Sequence, residues 1–147
     1  MNIPYRTDKL NSRSAIRNPK FHLLLPIAYM LFIFILSSIP ADLGNGENHG
    51  ILYLKPEVQN LFHIPLFAPL SFLWLMCYRR RGHSLKRSFL FALSITISYA
   101  FFDELHQYYI PGRFTSITDI GFDLIGAAIG VIAYSCLRAF SYVALTI

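Results

Sequence analysis

The stretch of this 147-residue chain best equipped for chemistry is DELHQYYIPGRFTSITDIGFD, residues 103–123. It gathers Asp103, Glu104, His106, Gln107, Arg113, Ser116, Asp119 and Asp123 into one short segment. Clustered carboxylates can act as general acid and base when their environments separate their pKa values. An arginine offers a planar donor fork for a phosphate or carboxylate, and can stabilise developing negative charge. In a helix, Asp103 and Gln107 stand four apart and Asp103 and His106 three apart, so the three share a face, with Tyr99 one turn earlier. Asp119 and Asp123 are again four apart, and Gly126 and Gly130 continue roughly that face inward. Pro111-Gly112 is a turn signal. A chain that reverses there brings Asp103 and Gln107 near Asp119 and Asp123, and His63, near the start of an earlier apolar stretch, can reach the same place. Ser116 lacks the elbow or triad setting of a nucleophile. There is no HExxH or other strong metal spacing, no phosphate loop and no dinucleotide fingerprint, so neither a metal nor a cofactor is expected. A divalent cation, were one bound, would find oxygen and imidazole donors in Asp103, Asp119, Asp123 and His63.

The elements that carry these residues are apolar. The chain is 54% hydrophobic and 14% charged, against about 25% charged in soluble domains. The mean hydropathy is +0.45. Four apolar segments stand out, at about 21–39, 61–78, 88–110 and 118–140. The first would be roughly 28 Å long as a helix, one hydrocarbon thickness. Its long polar lead and long apolar stretch argue against a cleaved signal peptide. Pro65 and Pro69 in the second are tolerated in membrane helices whose neighbours re-satisfy the freed carbonyls. The expected architecture is all-α: an integral membrane four-helix bundle over 21–140, after a basic segment 1–20 and before a short tail 141–147. Cys77 and Cys136 both fall in apolar runs and read as buried, inert thiols. Trp74 and Tyr78 fall where an interfacial aromatic belt would lie.

The charges give the topology. Of 13 Lys and Arg, five lie in segment 1–20, five in Arg79–Arg87, and Arg138 closes the fourth helix, leaving only Lys55 and Arg113 elsewhere. By the positive-inside rule that basic side is the cytoplasm, with both termini inside and 40–59 and 111–117 outside. The net charge of +5 is thereby explained without nucleic acid. Seven of the eight acids fall on or near the outer side. A charge at the centre of a spanning helix costs about 2.5–3.5 kcal/mol on insertion scales. Four carboxylates at two adjacent helix ends should therefore face inward and have partners. The Gly126-x-x-x-Gly130 spacing lets another backbone approach closely and reads as helix packing.

The string DELHQYYIPGRFTSITD, followed by Asp123, Gly126 and Gly130, resembles the VanZ-like family of small bacterial membrane proteins. The family pattern is approximately D-E-x-x-Q-x-x-x-P-G-R-x-x-S-x-x-D-x-x-x-N-x-x-G-x-x-x-G. Asp103, Glu104, Gln107, Pro111, Gly112, Arg113, Ser116, Asp119, Gly126 and Gly130 match it. His63 at the opening of the second helix and Ser37-Ser38-Ile39-Pro40 at the end of the first also fit. Four positions depart: Gln59-Asn60 stands where the family often has Asp-Lys before the His, Phe67 replaces a Tyr, and Asp123 replaces the Asn. The resemblance implies a multi-pass protein of the bacterial cytoplasmic (inner) membrane, in a family whose namesake is associated with teicoplanin resistance.

Three readings of the polar cluster follow. In the first, His63, Asp103, Glu104, His106, Gln107, Arg113, Ser116, Asp119 and Asp123 line an outer-leaflet pocket. That pocket would bind a membrane lipid or lipid-linked cell-wall precursor and alter how glycopeptides act at the envelope. In the second, the chain is an intramembrane enzyme on a lipid-linked substrate, with Asp103 or Asp119 as base, His106 or His63 as acid and Arg113 as charge stabiliser. In the third, the same residues only pin the third and fourth helices together.

Overall fold

The computed structural model describes residues 19–40, 60–113 and 115–144. Among them are four helices and no strand: α1 (Pro19–Ser37), α2 (His63–Arg80), α3 (Leu85–Gln107) and α4 (Ile117–Ala144). The expected basic segment up to residue 18 and nearly all of the loop 40–59 lie outside the described residues.

The helix ends have local causes. α3 starts three residues before the expected 88 because Ser84 caps it. Ser84 is extended (φ −60°, ψ 156°) and its hydroxyl accepts from the Arg87 amide at 3.4 Å. α3 stops at Gln107, short of the expected 110. There the amides of Tyr109 and Ile110 turn back to the His106 and Gln107 carbonyls, at 3.0 Å each. Pro111 disfavours helical backbone in the residue before it, and Gly112 takes φ +75°, which favours glycine. α4 runs on to Ala144, past the expected 140.

α2 is the central helix, packed against each of the other three, most extensively against α4. It supplies Phe67, Leu70, Trp74, Leu75 and Cys77 to the core, joined by Ile33 from α1, Ala92 and Tyr99 from α3, and Val131 and Tyr134 from α4. Trp74 is thus a core residue, not part of an interfacial belt. The central place of α2 points its ring inward, where it stacks on Tyr78 with centroids 5.8 Å apart. Cys77 is buried, but Cys136 is exposed, against expectation. α4 is peripheral, and Cys136 follows Ile129 and Ile132 along its outward stripe.

That outward surface is apolar. Leu24, Leu31 and Ile35 on α1, Phe101, Phe102 and Leu105 on α3, and Ile125, Ile132 and Leu137 on α4 are all exposed. Contiguous apolar surface of this kind marks a face meant for a partner or lipid. Leu85–Gln107 and Ile117–Phe140 are each long and apolar enough to cross a membrane.

Small residues close the α2–α4 contact. A Cβ on Gly126 would lie 2.7 Å from the Ile64 carbonyl oxygen, and one on Gly130 would collide with the Ala68 carbonyl and the Ser71 hydroxyl. Ser71 donates across the contact to the Ala127 carbonyl at 2.8 Å. The glycine pair therefore packs α4 on α2, and sets the register of the polar residues above it.

Candidate functional site

The start of α2, the end of α3 and the start of α4 come together at one end of the bundle. Buried there are His63 from α2, Asp103, Glu104 and Gln107 from α3, and Asp119 and Asp123 from α4. His63 Nδ1 and Asp123 Oδ1 are 2.8 Å apart. Single ligand atoms of His63, Glu104 and Asp123 all lie within 4.8 Å of one another. Asp119 is in electrostatic reach of both His63 and Glu104. The Ser116 amide donates to Glu104 Oε2 at 3.3 Å, and Gln107 Nε2 donates to Asp103 Oδ2 at 2.7 Å. One oxygen on each of Asp103, Glu104, Asp119 and Asp123 is buried with no hydrogen-bond partner among the described residues.

The cluster predicted from sequence is divided. His63, Glu104, Asp119 and Asp123 form its centre, with Asp103 and Gln107 paired beside them. His106 and Arg113 stand apart, on the C-terminal end of α1. His106 Nε2 is 2.9 Å from the Ser38 hydroxyl, and its ring stacks on Phe34 with centroids 4.3 Å apart. Arg113 Nε donates to the Ile39 carbonyl at 3.2 Å and Nη2 to the Leu36 carbonyl at 3.1 Å, the latter already accepting from the Ile39 amide at 3.2 Å, so the guanidinium clasps the last turn of α1. Burial lowers the Arg113 pKa from its ordinary value, while Asp103 opposes that change. The Ser116 hydroxyl meets Thr118 at 2.7 Å, so it is the Ser116 amide that touches the cluster.

The shared face expected for Asp103, Gln107 and His106 needs correction. The buried arc of α3 runs through Tyr99, Ala100, Asp103, Glu104 and Gln107. Glu104, 100° around from Asp103, turns toward α4, while His106 falls on the other side, toward α1. Tyr99 donates its hydroxyl to the Met30 carbonyl of α1 at 2.6 Å. The spacing alone showed which residues could be neighbours, but not which helix each side of α3 would meet.

A family model described as VanZ/LLP1 matches residues 21–138, most of the chain. The chain belongs to the VanZ-like family. Comparisons with curated proteins and with solved structures gave no match. Family membership, together with two helices able to span a bilayer, makes it a membrane protein. In this VanZ-like chain the matched motif residues divide between two tasks. Arg113 ties the α3–α4 turn to α1, whereas Glu104 and Asp119 join His63 in the centre. Asp123 is the carboxylate that meets His63.

A shallow, open groove of about 350 Å³ lies beside this VanZ-like cluster, bordered by Glu104, Leu105 and Tyr108 of the α3 end and by Thr115, Ser116, Ile117 and Ile120 of the α4 start. One carboxylate thus borders a cleft with apolar walls. Among the described residues, the four acids lie at this end of the bundle, and Arg79, Arg80, Arg81, Lys86 and Arg87 at the opposite end, around the α2–α3 turn.

Proposed function

We infer that this VanZ-like chain is a four-span protein of the bacterial cytoplasmic membrane whose carboxylate–imidazole cluster binds a polar head group from the envelope side. The single observation that carries the reading is the groove beside Glu104. It pairs apolar walls from α3 and α4 with a carboxylate that leads into a buried polar centre. A lipid, or a lipid-linked cell-wall precursor, has the matching two parts: acyl or prenyl chain against Leu105, Ile117 and Ile120, head group toward Glu104. Both termini lie in the cytoplasm, because Arg79–Arg81, Lys86 and Arg87 crowd the opposite end of the bundle. The polar end then faces outward, where cell-wall precursors and glycopeptides meet.

The reading is tested by teicoplanin and vancomycin susceptibility of a host expressing wild type, Glu104→Gln or Asp119→Asn, with membrane levels matched by blotting. Wild type should raise the inhibitory concentration and both variants should lose that protection. Equal protection by wild type and both variants would overturn it.

The His63–Asp123 pair supports a second reading, an intramembrane enzyme on a lipid-linked substrate. A carboxylate that holds one imidazole nitrogen orients the ring for proton transfer at the other. It predicts a covalently altered lipid product that disappears in His63→Gln.

A further inference from the structure

We propose that His63, Glu104 and Asp123, supported by Asp119, form a site for one divalent cation of the Mn²⁺ or Zn²⁺ kind. The three ligand residues come from α2, α3 and α4, so an ion would tie together the three helices that surround it. Their candidate ligand atoms already lie within 4.8 Å of one another, and all three side chains are buried. The closest pair, His63 Nδ1 and Asp123 Oδ1 at 2.8 Å, is at hydrogen-bond distance, and a separation larger by a few tenths of an ångström would let both atoms flank one ion about 2.1 Å from each.

A second observation points the same way. Glu104, Asp119 and Asp123 are only 7%, 1% and 1% exposed, and each keeps one oxygen with no hydrogen-bond partner. An ionised carboxylate only accepts, so these oxygens call for a proton, a donor or a cation. Among the described residues, little positive charge reaches them. His63 is one imidazole against three carboxylates, and Arg113 directs Nε and Nη2 to α1. A buried charge without compensation is costly, and a divalent ion removes that cost for two carboxylates at once.

The donor set selects the class of ion. Carboxylate oxygens favour hard cations, and one imidazole shifts the preference toward Mn²⁺ or Zn²⁺ over Ca²⁺. Thiolate ligands are absent from the site: Cys77 lies 14 residues along α2 from His63, about 21 Å away. The inference goes beyond the lipid reading, since the ion would bind whether or not a lipid occupies the groove. If both hold, a coordination position facing the groove would take a phosphate oxygen of the head group.

The test uses the full chain purified in detergent, stripped with chelator, loaded in parallel with Mn²⁺ or with Zn²⁺ and desalted, with metal counted by mass spectrometry. Wild type should retain one Mn²⁺ per chain. Glu104→Gln and Asp123→Asn should each lose at least about 10–100-fold in affinity, the loss that even outer-shell changes cause. Cys136→Ser, on the outward stripe, should bind as wild type does. Electron–nuclear double resonance on Mn²⁺-loaded wild type with ¹⁵N-histidine should show a directly bound nitrogen, which requires no variant to fold. Failure of wild type to retain Mn²⁺ and Zn²⁺, undiminished affinity in both carboxylate variants, or absence of the ¹⁵N coupling would overturn the proposal. Absence of bound lipid from wild type that retains Mn²⁺ would count against the lipid reading alone.

Discussion

Asp123 meets His63 at 2.8 Å because Gly126, one turn along α4, lies against the Ile64 carbonyl, the residue after His63. Helix packing and site geometry are one contact seen at two heights. The missing Cβ lets α4 approach α2, and the approach brings a carboxylate to an imidazole 60 residues away.

Adding a methyl group at this contact should therefore be costly. Gly130→Ala must displace the Ala68 backbone, and Gly126→Ala the Ile64 carbonyl. Each should destabilise by about 1–3 kcal/mol, as overpacking does. Gly121→Ala meets nothing within 4 Å and should be neutral or gain up to about 1 kcal/mol of helix propensity. Denaturant unfolding in detergent distinguishes these outcomes.

Removing His63 should cost more than altering Asp123 conservatively. His63→Ala leaves buried carboxylates facing one another, at about 3–5 kcal/mol for a broken buried pair. Asp123→Asn keeps an acceptor for the imidazole and the side chain's volume, so it should fold. A double-mutant cycle over the two positions should show strong coupling. Additive losses would mean that the two side chains act independently.

The division of the cluster explains what the sequence revealed. The DELHQ and TDIGFD spacings placed Asp103, Glu104, Gln107, Asp119 and Asp123 at helix ends on buried arcs, because a charge among apolar residues must face inward. The identity of each neighbour was not legible, because it depends on which helix is central. α2 takes that place, so Glu104 turns to α4 and His63, while His106 turns to α1. Arg113 looked like an anion fork, since its guanidinium suits a phosphate. Nothing local reveals that the carbonyls of Leu36 and Ile39 lie within its reach. Trp74 and Cys136 were misjudged for the same reason: an apolar run does not tell which side of it faces lipid.

Arg113→Ala should loosen the end of α1 without removing ligands from the centre. Two hydrogen bonds from a charged donor are lost, at about 1.5–3 kcal/mol each before relaxation. Arg113→Lys should not rescue, because a single ammonium does not reproduce a fork that spans two carbonyls. Hydrogen exchange at the C-terminal end of α1 should rise in both variants. Unchanged exchange would contradict the anchoring role.

Topology predicts opposite labelling at the two ends. In a background with Cys77 and Cys136 replaced, Tyr109→Cys, at a position 72% exposed, should react with an impermeant maleimide on intact spheroplasts. Arg81→Cys, in the basic α2–α3 turn, should react only after permeabilisation. The reverse pattern would turn the cluster toward the cytoplasm and remove the envelope reading.

The central claim is that the groove beside Glu104 holds a lipid whose head group reaches the buried carboxylates. The most direct measurement is native mass spectrometry of the protein extracted gently from its membrane. Wild type is compared with Glu104→Gln and with the groove-filling Ile120→Trp, each checked for the same helical content. The account predicts a discrete envelope lipid retained by wild type and depleted in both variants. The same lipid retained equally by all three, or none retained by wild type, would contradict it.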